Sequence, residues 1–487
     1  MKQQILSLGK DSLIYGVGSV VTRFIGLLTL PLFTAYLTPD EYGVLAMLAL
    51  LTMVVQPIFS LGLGAAMGPR YFEQDDIQNK STVVWTMLLI HTISSAFLIV
   101  IGWTYPAPIA KLVRLSSEHS LLIGLSLTGC AFTIMATAIT ARVQFEKQAK
   151  LYVVVTLITA LTAIVVSILT VVYLGWGVKG MVIGQLSGNV ITLLAFLFIA
   201  LRDTKLVING VMAKELIRQG LPLIPSFGFV FVIMHGNKYI LEWSLGLDAV
   251  GVYSVGFNLG MTMSIITGGI STAWFPFFLR YINRQTEAEE IFPKVFTYYV
   301  LGVGLLALFY FIFAKIVVLT LTHEAYHSAH HLIGFVAIAN FSQTLFGFFL
   351  PGLYFNKEVK YVSVVQGIAA LLSLPLNYYL IIETGVWGAA IGLAMSNMLM
   401  ATLMYGWNVI NKSRYPRVNY EWVRVFGFFA MACGIYAVNE YFSATVMVYE
   451  VAKSVALAAS AVILTFLLLN RSERTLLVKP INIIWRW

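Results

Sequence analysis

The chain has 487 residues, of which 59% are apolar and 11% charged, and its mean hydropathy is +0.84. Soluble proteins average about 45–50% apolar and about 25% charged residues, so an ordinary soluble enzyme and a disordered chain are both excluded. The net charge of +9 is spread over short loops rather than clustered, which speaks against nucleic acid and, in a membrane protein, reports orientation.

A helix needs about 20 apolar residues to cross the hydrocarbon core. Fourteen such runs follow in chain order, at about 12–36, 42–66, 82–104, 120–141, 151–173, 180–201, 219–243, 249–275, 292–321, 331–355, 361–382, 386–409, 422–440 and 448–470. They are continuous rather than alternating, which predicts an all-α polytopic membrane protein and not a barrel. The first run is too long for a signal core and lacks a cleavage site, so it is expected to remain as helix 1. Cys130 and Cys433 both fall inside apolar runs and offer neither a disulfide framework nor a metal site.

With the amino terminus inside, 24 of the 31 Lys and Arg fall on inner segments, and only Lys111, Arg114 and Lys179 lie on outer loops. Both termini are therefore predicted to be cytoplasmic. The tail ending in Ile484-Trp485-Arg486-Trp487 reads as an interfacial anchor.

The chain repeats itself at an offset of 208–210 residues. Leu37-x-x-Asp40-x-x-Gly43-Val44 returns as Leu245-x-x-Asp248-x-x-Gly251-Val252, Arg70-Tyr71 as Arg280-Tyr281, and Leu122-Ile123-Gly124 as Leu332-Ile333-Gly334. Phe145-x-Lys147-x-x-Lys150 returns as Phe355-x-Lys357-x-x-Lys360, and Gly177-Val178-x-Gly180-x-x-Ile183-Gly184-x-x-x-x-Asn189 as Gly385-Val386-x-Gly388-x-x-Ile391-Gly392-x-x-x-x-Asn397. Asp40 and Asp248 are expected as N-caps of helices 2 and 8, and the Gly-x-x-x-Gly pairs as close helix contacts. Six spans per repeat make the halves parallel, with a central site between them. The expected plan is a cytoplasmic N-terminus (1–11), an N-lobe (12–201), an inner linker (202–218), a C-lobe (219–409), two further helices (410–470) and a cytoplasmic tail (471–487).

The 6+6+2 plan, the opening Gly18-Ser19-Val20-Val21-Thr22-Arg23-Phe24-Ile25-Gly26 and the phrase running from Leu37 to Val44 resemble the polysaccharide flippases of the multidrug/oligosaccharidyl-lipid/polysaccharide (MOP) exporter superfamily. So do Asn237-Lys238-Tyr239-Ile240-Leu241 and Gly251-Val252-Tyr253-Ser254-Val255. The resemblance spans essentially the whole chain. It implies a MATE-like fold in a bacterial inner membrane, and cargo such as an undecaprenyl-pyrophosphate-linked oligosaccharide of the O-antigen kind. It also implies a polysaccharide polymerase and chain-length machinery as partners beside the bilayer. No cofactor is implied, and the drive would be cargo flux or a proton or sodium gradient. Many of these flippases carry Asp where this chain has Asn237, which puts coupling through that position in doubt.

Ionisable groups at membrane depth cost roughly 2.5–3.5 kcal/mol on insertion scales and usually face a cavity. Arg23, eleven residues into the first run, is expected near mid-membrane, where a guanidinium can grip a pyrophosphate; the alternative is a structural Arg on helix-end carbonyls. His91 sits at similar depth and reads as a donor to cargo or as a satisfied interior histidine. Lys238, with His235 and Asn237 on the same turn, lines a cavity or snorkels, as Lys315 does. Gln56, Asn340 and Gln343 are candidate sugar-facing donors, and Arg70 and Arg280 candidate inner-mouth cations. No carboxylate is expected mid-span, and a cationic cleft suits an anionic lipid headgroup rather than a cationic drug. A MATE-type cation antiporter is the alternative reading.

One motif points elsewhere. His323-Glu324-Ala325-Tyr326-His327 matches H-E-x-x-H and, with His330, would present a zinc ligand set on one face of an α-helix. The segment falls on an outer loop without a soluble domain, so a membrane protease is a distant rival and the expectation is that the chain is not an enzyme.

Overall fold

A computed structural model describes residues 2–73, 77–411, 418–442, 446–470 and 473–474. The interfacial anchor expected at 484–487 lies outside them. Among the described residues every regular element is helical. In order these are α1 (Lys2–Tyr36), α2 (Pro39–Phe59), α3 (Leu63–Phe72), α4 (Ile77–Thr104), α5 (Pro106–Leu112), α6 (Ser120–Phe145) and α7 (Ala149–Ile168). There follow α8 (Gly177–Asp203), α9 (Gly210–Gly220), α10 (Ile224–Leu245), α11 (Leu247–Gly260), α12 (Ser264–Leu279), α13 (Gln285–Ile312) and α14 (Ala314–Leu321). The last are α15 (His330–Phe348), α16 (Pro351–Phe355), α17 (Lys360–Thr384), α18 (Val386–Ile410), α19 (Trp422–Tyr441) and α20 (Met447–Leu467). Twelve helical segments among the described residues are long and apolar enough to cross a membrane. Sequence run 12–36 lies on α1, and run 219–243 covers the end of α9, a 3₁₀ turn (Leu221–Leu223) and most of α10.

The chain forms two compact units. The first comprises Met1–Val255 with Leu321–Tyr326 and Ser373–Ala389, the second Gly256–Thr320, His327–Leu372 and Ala390–Trp487. In the first, Leu63, Met67, Val83, Met87, Ile139 and Phe196 form a buried apolar core. Glycines set the spacing beside it. A methyl at Gly180 would meet Thr170 and Val171 at 2.9 Å, and one at Gly184 would meet the Ala163 carbonyl at 2.7 Å, so α8 lies directly on α7 and its π-helical end, Leu169–Tyr173. In the second unit Leu308, Ile312, Ile435 and Ala461 pack α13 against α19 and α20.

Two expectations are corrected. Asp40 is not an N-cap: Thr38 is, in a capping box with Glu41, and Asp40 and Asp248 instead occupy the first turns of α2 and α11, where a carboxylate meets the positive end of the helix dipole. The 42–66 run is not one helix either. It breaks at Ser60–Gly62, where Leu61 and Gly62 take positive φ (53° and 65°), and the backbone of Gly62 approaches that of Gly220 too closely for a Cβ.

The repeated phrases meet each other. A Cβ on Gly43 would fall onto the carbonyl of Leu247, and a Cβ on Gly251 onto the carbonyl of Pro39. These contacts exchange under the 208-residue offset. The start of α2 and the start of α11 thus cross backbone to backbone, which explains why both phrases keep their glycine.

Candidate functional site

Polar side chains from distant parts of the sequence converge in the first unit at three places. The first is a cavity of about 140 Å³ among α2, α6 and α8, lined by Thr52, Gln56, Ser126, Thr133, Gln185 and Asn189. It is neutral, rich in hydroxyls and amides, and holds no carboxylate in its lining. Such a surface can exchange hydrogen bonds with hydroxylated cargo. Asn189 donates its amide to the Gly129 carbonyl at 3.1 Å, which fixes its orientation at the wall.

The second is a wider cleft of about 540 Å³ beside α1, where Arg23 and Thr22 face Gln144, Tyr152 and Thr156. Gln144 is one residue from the end of α6 and Tyr152 three from the start of α7. Arg23 therefore stands beside the end of α6 and the start of α7. The cleft holds a guanidinium, a phenol, an amide and hydroxyls, a donor set suited to anionic oxygen.

The third is a buried knot on α10. Asn237 Nδ2 donates to the Tyr253 hydroxyl at 2.6 Å and to the Ala389 carbonyl at 2.9 Å, and Lys238 Nζ lies 5.9 Å from the centre of the Tyr253 ring. Asn237 is 2% exposed and Lys238 7%, so Lys238 does not snorkel. His235 shares this stretch and packs on Phe231 with ring centres 5.6 Å apart. The three residues expected together are thus together, in a junction tying α10 to α11 and to Ala389.

The other candidates separate. His91 is fully buried and its Nε2 lies 3.3 Å from the carbonyl of Ser60, at the break in helix 2. A broken helix in lipid must satisfy its freed carbonyls, and His91 does so. Arg70 meets Glu73 at 2.9 Å and Glu215 at 3.4 Å, which joins α3 to α9. In the second unit, Asn340 donates to its own helix at Val336 (2.9 Å), Gln343 is half-buried, and Arg280 ends α12 exposed. Lys315, expected to snorkel, instead joins Lys453 on the buried Glu450, at 3.8 and 2.7 Å.

The H-E-x-x-H match loses its geometric basis. Glu324–Ala329 is a 3₁₀-helix that begins after His323, and His330 Nδ1 is turned to the carbonyl of His327 at 2.6 Å. With about 3.0 residues per turn, positions four apart no longer share a face. Among the described residues no group of three His, Cys, Asp or Glu is placed to hold a metal.

Sequence reasoning missed Thr52, Thr133, Gln185 and Tyr253. Asn189 and Tyr253 both lie in the repeated or family-like phrases, so a signal was there, but it was read as structure.

A family model described as "Polysaccharide biosynthesis protein" matches residues 32–331. No curated protein sequence matches. Among solved structures, the lipid II flippase MurJ in an inward closed conformation aligns with a TM-score of 0.73 at 11% identity, over 93% of this chain and 99% of that one. A multidrug resistance MATE family transporter of the MOP superfamily, inward-facing, aligns with a TM-score of 0.64 at 15% identity, over 82% of this chain and 98% of that one. A MATE structure in the straight conformation gives 0.59 at 17% identity, over 84% and 96%. At these identities the likeness establishes the shared fold.

Proposed function

The chain belongs to the polysaccharide biosynthesis protein family, a polytopic membrane protein with the MOP-superfamily fold, and from that premise we propose that it flips an undecaprenyl-pyrophosphate-linked oligosaccharide from the inner to the outer leaflet of a bacterial inner membrane. The proposed plan is fourteen spans in two parallel six-helix lobes plus two, with both termini cytoplasmic. The observation that carries the cargo class is the sign of the cavities. Arg23 and neutral donors line the cleft, hydroxyls and amides line the cavity around Gln56, and among the described residues no carboxylate lines either.

A cation antiporter of the same fold would need an acidic group to attract cargo and exchange ions, and the described residues of these linings offer none. On our reading the guanidinium of Arg23 takes the pyrophosphate while neutral donors such as Gln56 and Gln185 take sugar hydroxyls; the polyprenyl tail stays in the bilayer. Alternating access would be driven by cargo flux or by an ion gradient.

The test is a leaflet assay of lipid-linked glycans in the host. Deleting the gene should strand intermediates on the cytoplasmic side and remove surface glycan; unchanged glycans would reject the proposal. Arg23→Ala should insert and fold as wild type yet lower transport by at least tenfold. Wild-type transport by that variant would remove Arg23 from the cargo site.

A further inference from the structure

A third cavity of the first unit, about 250 Å³, belongs to none of the places above. Its walls come from α3, α4 and the end of α6, with Thr204 closing one side. Tyr71, Phe72 and Phe145 form an aromatic wall with ring centres 5.2–5.7 Å apart. Arg142 and Lys80 bring two positive charges to it.

Arg142 is the informative residue. Its side chain is only 8% exposed, and its Nε and Nη2 hold the Glu146 carboxylate at 2.8 and 3.2 Å. Its Nη1 is buried without a hydrogen-bond partner. A buried guanidinium nitrogen without an acceptor is costly, and the cavity that Arg142 lines is the natural place for one.

Glu146 does not fill that role and does not turn the pocket acidic. Its two oxygens already accept from Arg142, from the Tyr71 hydroxyl at 2.9 Å and from Gln148 at 2.9 Å. Burial, then the hydrogen bond to Glu146, push the Tyr71 hydroxyl up to about 12, so it remains a donor throughout the physiological range. Lys80 Nζ lies 5.7 Å from the centre of the Tyr71 ring, at the mouth of the pocket. Among the described lining residues the residual character is therefore cationic, with one unused guanidinium donor and one ammonium.

The internal repeat supplies a control. At an offset of 210 residues the aromatic positions persist, Tyr71 as Tyr281 and Phe145 as Phe355. The charged ones do not: Arg142 becomes Gly352, Glu146 becomes Asn356 and Lys80 becomes Glu290. Phe72 becomes Ile282, so two of the three aromatic positions are kept where none of the three charged ones is, and the charges in the first half require another reason.

We propose that this pocket is a phosphate-binding site, at the end of the first unit that loop charge places inside the cell, and that Arg142 and Lys80 hold the phosphate oxygens. The space equals several water volumes, enough for a phosphate or pyrophosphate group with some of its hydration. The phosphate can belong to a lipid headgroup of the inner leaflet or be free in solution. The site is separate from the Arg23 cleft, so it does not depend on the transport reading.

The test uses the full-length protein, purified and placed in nanodiscs of zwitterionic lipid, and titrated calorimetrically with inorganic pyrophosphate. The titration is made on wild type and in an Arg23→Ala background, which removes the guanidinium of the cleft; binding should persist in that background, with Lys80→Gln and Arg142→Gln each weakening it on the order of tenfold. If pyrophosphate does not bind, the lipid source is tested by melting in nanodiscs with and without phosphatidylglycerol. A stabilisation by phosphatidylglycerol that disappears in Lys80→Gln then supports the site. Arg142→Gln also breaks the pair with Glu146 and can fail to fold, so Lys80→Gln, which keeps that pair, carries the decision. Pyrophosphate and phosphatidylglycerol responses that are both the same in wild type and Lys80→Gln would overturn the proposal.

Discussion

Asn237 shows how little a side chain's type says about its task. As an amide it donates to both Tyr253 and Ala389 from inside a packed helix junction. Asn237→Ala should lose both bonds, at a cost of roughly 1–3 kcal/mol, read as a lower melting temperature in detergent. Glu473 makes the complementary case outside the spans. Burial alone would raise its carboxyl, but hydrogen bonds from Arg424, the Asn470 amide and the Tyr298 hydroxyl outweigh that and hold it below the usual carboxylate range. A carboxylate held low in the folded state adds stability above its ordinary value near 4.3 and loses it as pH falls through the folded value. Glu473→Gln should thus cost about 1–3 kcal/mol at neutral pH, and melting curves of mutant and wild type should converge below pH 4. A gap that persists unchanged into acid would show that charge is not the reason.

At the scale of elements, the crossing of α2 and α11 is the sharpest test of the fold. Both Gly43 and Gly251 face a carbonyl where a methyl has no room. Gly43→Ala and Gly251→Ala should each lower the melting temperature by several degrees, and the double variant less than additively, because one displacement relieves both clashes. Gly26→Ala, with open space at its Cβ, should behave as wild type. Equal melting for all of these would mean that the crossing carries no stability. The break between α2 and α3 teaches a related lesson. Apolar run length predicted one continuous span there, since hydropathy does not register a pair of left-handed residues. What decides the geometry is Gly62 lying against Gly220.

For the whole molecule, orientation is the claim that most needs measurement. Labelling of single cysteines by an impermeant reagent, in a background lacking Cys130 and Cys433, should modify Lys179→Cys from outside intact cells. Lys357→Cys should react only after the membrane is opened. The reverse pattern would invert the topology and, with it, the direction assigned to transport.

The helices were legible in the amino-acid sequence because crossing a hydrocarbon layer is a local requirement, met by about twenty apolar residues in a row. The internal repeat was legible as well, because backbone crossings such as Gly43 on Leu247 demand glycine at fixed offsets. The sign of the candidate cavities could be foreseen from the scarcity of carboxylates within spans, and the grouping of His235, Asn237 and Lys238 from their place on one helical turn. Partnership could not. His91 gained its purpose only from a break in another helix. Arg142 looked like one more positive loop charge. Only the packing of α3 and α4 against the end of α6, some sixty residues further along the chain, shows that it is buried, half-paired and facing a cavity. Such a pocket is a property of three elements at once, and no single stretch of sequence carries it.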